Sequence, residues 1–280
     1  MSFFNRYRAL AQTRAPLCIG IDPTPQALAH WQLPDTAAGA EAFVSKLVSA
    51  VGEMACVFKP QAAYFERFGI DGIALFEGTL DEIRRAGALS ILDAKRGDIG
   101  STSKAYAQGY LSAQAPFRPD ALTVTPYLGF EALDDFYTEA AEAGRAVFVV
   151  ARSSNPEGGL IQTARMANGK TVAEHIIQSV EAKNLALGEA KSCLGAVIGA
   201  TLGEEAGQLA AMMPTGLILA PGIGAQGATI ADLAEIFGDS VTRVLPSASR
   251  SIYANGSSRD ALQDEVSALR EQLFAVHKNA

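Results

Sequence analysis

The sequence predicts an α/β protein folded as one (β/α)8 barrel of the TIM type, spanning residues 1–280 as a single domain. Three observations predict it. Eight short apolar runs recur along 280 residues. Most do not alternate with polar residues, as strands buried on both faces of a parallel sheet do not. Segments of helical period lie between them, so strand and helix alternate about eight times. An open doubly wound sheet is the competing architecture, but it would usually have fewer strands.

The runs cover residues 17–21, 55–58, 89–92, 121–124, 146–150, 194–198, 216–219 and 242–245. Phe43, Leu47, Val51 and Met54 form one apolar stripe at three- and four-residue spacing, and Leu262, Val266, Leu269, Leu273 and Val276 form another. Residues 71–85, 131–143, 172–186, 203–213 and 230–237 give weaker helical patterns. The longest irregular stretch is 153–170, which carries Asn155-Pro156, Gly158-Gly159 and Asn168-Gly169.

Composition bounds the function. The chain is 49% hydrophobic and 19% charged, enough apolar residue for a large core. It carries 23 Lys+Arg against 30 Asp+Glu, a formal charge of −7, which argues against bulk nucleic-acid binding. No run approaches the roughly 18 apolar residues of a membrane span, and the first residues lack the apolar core of a signal peptide. Cys18, Cys56 and Cys193 are odd in number and each sits in an apolar run, so buried thiols in a reducing cytoplasm are expected.

In a barrel the chemistry sits at the C-terminal ends of the strands. Asp22 follows the first run and Lys59 the second. Asp93, Lys95 and Asp98 follow the third, Thr125 the fourth, and Ser153 and Ser154 the fifth. Pro221, Gly222, Gly224, Gln226 and Gly227 follow the seventh, and Arg250 the eighth. Asp93 and Lys95 are two apart, so an extended chain turns both to one side. A row of alternating charges at a barrel mouth is costly to bury unless function retains it; a structural ion-pair network is the plainer alternative. His30, His175 and His277 fall away from the strand ends. That leaves Lys95, kept protonated by flanking carboxylates, as the natural proton donor. The glycine turn after the seventh run, paired with Arg250 after the eighth, reads as a phosphate site.

Five stretches then resemble the orotidine 5′-phosphate decarboxylase family, in its longer-chain bacterial branch. They are Leu17-Cys18-Ile19-Gly20-Ile21-Asp22-Pro23, Phe58-Lys59-Pro60-Gln61-Ala62-Ala63-Tyr64-Phe65-Glu66, and Leu92-Asp93-Ala94-Lys95-Arg96-Gly97-Asp98-Ile99-Gly100-Ser101-Thr102. Ala220-Pro221-Gly222-Ile223-Gly224-Ala225-Gln226-Gly227 and Ser249-Arg250-Ser251-Ile252-Tyr253 complete the set. The resemblance implies cofactor-free and metal-free decarboxylation of orotidine 5′-monophosphate to uridine 5′-monophosphate, the last step of de novo pyrimidine synthesis. It also implies a homodimer with shared active sites.

Carried over by motif, Asp22 and Lys59 would hold the ribose hydroxyls, with Lys59 also bonding Asp93. Asp93 would face the substrate carboxylate and Lys95 would protonate the carbon left behind. Asp98, Ile99 and Thr102 would enter the neighbouring subunit's site. Ser154 would bond the pyrimidine, and Gln226 and Arg250, beside Pro221, would grip the phosphate. Thr125 stands where that branch's pattern leads one to expect Asn.

Other readings stay open at this point. A magnesium-dependent sugar-phosphate synthase or decarboxylase on the same barrel would need an acidic metal ligand where Lys59 stands. A Schiff-base aldolase would use Lys95 or Lys59. A non-catalytic nucleotide-binding barrel would keep the phosphate grip and lose part of the charged row.

Overall fold

The computed structural model of the protein describes residues 1–224 and 227–278. Eight parallel strands close into a barrel in chain order: β1 (Ala15–Ile21), β2 (Ala55–Pro60), β3 (Leu89–Arg96), β4 (Ala121–Val124), β5 (Ala146–Arg152), β6 (Leu194–Ile198), β7 (Ile218–Pro221) and β8 (Val244–Ala248), with β8 pairing back onto β1. All eight runs are strands. The largest shifts are at the C-terminal ends, where β3 continues through Asp93 and Lys95 and β8 through Ser247.

The helices in chain order are α1 (Phe3–Leu10), α2 (Pro25–His30), α3 (Ala37–Val51), α4 (Ala63–Glu66), α5 (Gly69–Arg85), α6 (Gly100–Tyr110), α7 (Asp134–Ala143), α8 (Pro156–Gln162), α9 (Val172–Leu187), α10 (Glu204–Ala211), α11 (Asp232–Phe237), α12 (Arg250–Tyr253) and α13 (Arg259–Lys278). Caps explain several starts. Thr24 accepts from the Ala27 N–H ahead of Pro25, and Thr171 and Glu174 form a reciprocal capping box on α9. The α13 stripe buries Leu262, Val266, Leu269 and Leu273, each worth about 1.5–3 kcal/mol when fully buried. On α3, Phe43, Leu47 and Val51 are buried, while Met54 lies past the helix end.

The 153–170 stretch corrects the expectation of an irregular loop. It holds α8, begun by Pro156 at the first helical position, and an antiparallel bridge from Arg165 to Thr171. Two glycines and no buried residue hide that helix from a periodicity reading. Helix α6, rich in Ser, Thr and Gly, escaped for a related reason: it buries only the small Ser103 and Ala107.

Two apolar clusters build the core. One lies between strands and outer helices, with Ile19, Phe43, Val149 and Val266 among its members. The other fills the barrel's lower interior with Cys18, Ile91, Phe148 and Leu245, and α1 closes it from below through Phe3, Phe4 and Tyr7. Phe3 meets Phe148 edge-on, with ring centroids 5.9 Å apart. Cys18, Cys56 and Cys193 are buried free thiols, as the sequence suggested. No helix among the described residues is long and apolar enough to cross a membrane.

Candidate active site

Side chains alternate between the two faces of a strand, so each strand sends every second residue into the barrel. On β3 the interior set is Leu89, Ile91 and Asp93. On β4 it runs from Ala121 to Thr123, and on β2 from Val57 to Lys59. Below, this interior is apolar; at the upper end it becomes charged. A cavity of about 650 Å³ opens there, inside the usual range for small-molecule sites. Val150, Val197 and Leu219 form its apolar wall, and Asp22, Lys59, Asp93, Lys95, Ser154, Pro221 and Arg250 also line it.

Asp93 is the centre of the polar cluster. Its Oδ2 accepts from Lys59 Nζ at 3.0 Å and from Gln61 Nε2 at 3.1 Å. Its Oδ1 accepts from Lys95 Nζ at 2.7 Å and from Thr123 Oγ1 at 2.9 Å. Asp93 is 8% exposed and Lys59 7%, whereas half of the Lys95 side chain faces the cavity. Burial works to raise the Asp93 pKa. Lys59 and Lys95 outweigh it and hold the carboxyl well below the usual carboxylate range. For Lys59, burial disfavours the ammonium, but Asp93 and Asp22 outweigh that and hold it above the ordinary lysine range. The row is therefore cation, anion, cation.

Lys95 reaches this row by a route that simple alternation did not show. Leu92 pairs with Leu122, and the next β3–β4 pair is Arg96 with Val124, so β3 carries extra residues against β4. Lys95 sits in this bulge at φ 47°, a left-handed conformation rare for a lysine. Its N–H donates to Thr123 Oγ1 at 3.0 Å. Bulges beside active sites commonly re-aim a side chain in this way.

The expected row of five charges is thereby corrected to a smaller one. Asp22 lines the cavity, with its Oδ1 buried and unpartnered among the described residues. Asp98 stands apart: its Oδ1 accepts from the Ile99 N–H, and Asp98, Ile99 and Thr102 do not line the cavity of their own chain. Asp98 and Ile99 sit on the turn into α6 and Thr102 in its first turn, with Ile99 and Thr102 exposed.

Past β5, Ser153 and Ser154 both line the cavity. Ser153 is tied to α8: its backbone N–H donates to Gln162 Oε1 at 2.9 Å, and its hydroxyl donates to Asn155 Oδ1 at 2.6 Å. Arg152 donates to both oxygens of Glu205 and reaches Gln162, anchoring this turn. Ser154 packs against Gly199, where a Cβ would come within 2.9 Å of the Ser154 Cβ.

On the far side, Gly222 and Gly224 take φ of 109° and 78°, which a side chain would resist. Pro221, Gly222 and Ile223 line the cavity with Ser249 and Arg250, the latter at the start of α12. Among the described residues Arg250 has no ion-pair partner, so its fork is available to an anion. Gln226 lies outside the described residues. The histidines keep away: His30 bonds the Ala254 carbonyl, and none of the three lines the cavity. Thr125 bonds through its backbone to the Arg96 carbonyl and does not line the cavity either.

Sequence reasoning passed over Gln61 and Thr123 as site residues. Strand parity was the available signal for Thr123, since it stands two places after the inward Ala121.

A closed (β/α)8 barrel with a charge row facing a glycine turn and an arginine that has no ion-pair partner among the described residues defines a small-molecule site of the phosphate-binding barrel class. Comparison with known proteins narrows the class. Residues 15–264 match the "Orotidine 5'-phosphate decarboxylase / HUMPS family". The chain is 48% identical over 257 residues to an orotidine 5′-phosphate decarboxylase of Salinispora arenicola, covering 92% of this chain and 91% of the relative. It is 47% identical over 262 residues to the enzyme so named from Salinispora tropica, covering 94% and 93%. A crystal structure from Streptomyces avermitilis, provisionally given the same name, superposes with a TM-score of 0.92 at 45% identity, covering 98% of this chain and 95% of that one. The chain belongs to the orotidine 5′-phosphate decarboxylase / HUMPS family.

Proposed function

We propose that the protein decarboxylates orotidine 5′-monophosphate to uridine 5′-monophosphate, with the whole chain, 1–280, serving as one catalytic barrel. The observation that carries this reading is the Lys59–Asp93–Lys95 row at the cavity mouth, joined to family membership.

The chemistry follows from charge. The bond from the ring carbon to the carboxylate breaks, carbon dioxide leaves, and the electron pair stays on the ring carbon. Lys95 gives that carbon a proton and regains one from solvent. Nothing in this scheme delocalises the pair, so fixed charges must favour the transition state. Asp93 is already ionised and cannot move away, because four donors hold it. A substrate carboxylate beside it is repelled, and the repulsion falls as carbon dioxide departs. The Lys95 ammonium meanwhile gains attraction as the carbanion develops.

Binding roles are distributed around this centre. Asp22 offers an unpartnered buried oxygen to a ribose hydroxyl, and Lys59 stands beside it. Ser154 bonds the pyrimidine. Arg250 and the turn from Pro221, with Gln226, take the phosphate, whose remote binding energy helps hold the reacting end in place.

Asp98, Ile99 and Thr102 complete the neighbouring site of a homodimer. Two features support this: they lie outside their own cavity, and Ile99, Tyr127 and Leu128 are 59%, 76% and 56% exposed on loops of the same barrel face. Exposed large apolar groups gathered on one face favour a partner surface. The buried, unpaired thiols suit a reducing cytoplasm.

The metal-dependent sugar-phosphate reading is disfavoured by Lys59. A divalent cation there would face two ammonium groups around one carboxylate. Purified protein with orotidine 5′-monophosphate and excess EDTA tests the choice. Loss of substrate absorbance with formation of uridine 5′-monophosphate is expected. Silence, followed by turnover of sugar phosphates once magnesium is restored, would overturn it.

A further inference from the structure

We propose that Thr123 is a positioning residue for the reaction, holding the Lys95 backbone and one Asp93 oxygen in fixed relation through a single hydroxyl. The inference rests on Asp93 and Lys95 acting as assigned above.

A threonine hydroxyl has one proton to donate and lone pairs to accept with. In Thr123 both uses are filled. The proton goes to Asp93 Oδ1 at 2.9 Å, and a lone pair takes the Lys95 N–H at 3.0 Å. The Lys95 ammonium returns to the same Asp93 Oδ1 at 2.7 Å. Hydroxyl, backbone, lysine side chain and carboxylate therefore form a closed ring.

The ring answers a need created by the strand. Between the Leu92–Leu122 and Arg96–Val124 pairs, β3 leaves its regular register with β4. The part-buried Lys95 N–H needs an acceptor where the strand leaves register, and Thr123 supplies one from its side chain. The twist is one that L side chains rarely adopt, with Lys95 at φ 47°. Such a conformation persists only where its surroundings over-determine it. Thr123 is suited to do so: it is 1% exposed, and β-branching restricts its χ1. The consequence is that the ammonium approaches the substrate from a fixed point. Catalytic groups lose about a hundredfold in rate when misplaced by about 1 Å.

The test is Thr123→Val beside Thr123→Ser, with Lys95→Ala as the reference. Valine keeps the shape and loses both hydrogen bonds; serine keeps both. The expected result for valine is a kcat lower by about tenfold to a hundredfold, with KM for orotidine 5′-monophosphate nearly unchanged. Serine should retain kcat to within a few fold. Full kcat in the valine variant, while Lys95→Ala is inactive, would overturn the positioning role alone. Turnover surviving in Lys95→Ala would instead overturn the assignment of the proton donor. If valine does not fold, Thr123→Ala replaces it in the comparison. Equal loss in alanine and serine would then show that packing of the methyl group, not the hydroxyl, is what matters.

Discussion

Replacing Asp93 by Asn tests the charge row most directly. The exchange keeps size and shape and removes the one negative charge between two ammonium groups, 3.0 Å from Lys59 and 2.7 Å from Lys95. The two pairs are not equivalent. Lys95 is half exposed and its pair is screened, so it adds little to stability. Lys59 is 7% exposed and would be left buried with only Asp22 nearby. Breaking a buried pair by removing one partner costs about 3–5 kcal/mol, and the surviving Asp22 places this case near the lower figure. For a chain of 280 residues that corresponds to a melting temperature lower by roughly 5 °C at pH 7.

The pH dependence supplies a second, signed readout. In the wild type the folded Lys59 pKa is raised, so its stabilisation is full below the unfolded lysine value and is lost only as pH rises through the folded value. In Asp93→Asn the main support is gone and burial prevails, lowering the folded value. Between that lowered value and the unfolded lysine value the unfolded state binds more protons, so stability should rise as pH climbs through the alkaline range toward pH 9.5. Differential scanning calorimetry across that range reads both effects. Turnover should fall by about a hundredfold or more, as with loss of other preorganised charges. A variant melting within about 1 °C of wild type at pH 7, with no gain at pH 9.5, would refute the reasoning.

Three further outcomes are expected. Arg250→Ala should weaken uridine 5′-monophosphate binding about tenfold or more and leave uridine binding unchanged, as calorimetric titration would show; parallel losses would remove the phosphate assignment. Mixing inactive Lys95→Ala and Asp98→Asn proteins after subunit exchange should restore up to about a quarter of wild-type activity, because half of the dimers would be mixed and each would hold one intact site; no recovery despite exchange would place Asp98 in its own chain's chemistry. Cys18, Cys56 and Cys193, whose thiols burial pushes up to about 12, should resist a thiol reagent at pH 8 in the native state and react after unfolding.

What each level decided follows from the range of the forces involved. The barrel was legible because strands buried on both faces need continuous apolar runs, and eight such runs separated by helical segments leave little choice of fold. The charge-bearing positions were legible because they follow those runs directly. Phe43, Leu47 and Val51 on α3 and the stripe on α13 were legible for the same local reason. Helices α6 and α8 were not: both contain glycines and lack an apolar stripe, α8 burying no residue and α6 only Ser103 and Ala107, so nothing periodic marks them.

At the site the division is sharper. Sequence alone determined that Asp22, Lys59, Asp93, Lys95 and Arg250 would meet at one end of a barrel, because chain order and strand direction place every strand's C-terminal end there. Only the tertiary structure decided how they meet. The bulge that turns Lys95 inward depends on a register break between β3 and β4, set by pairing across strands rather than by either sequence. Thr123 and Gln61 became partners of Asp93 only once three strands stood side by side. Asp98, three residues beyond Lys95 in the chain, left the row because Gly97 and the start of α6 carry it outward. Spacing along a chain fixes which face a side chain takes, and only closure of the barrel fixes which side chains share that face at hydrogen-bond distance.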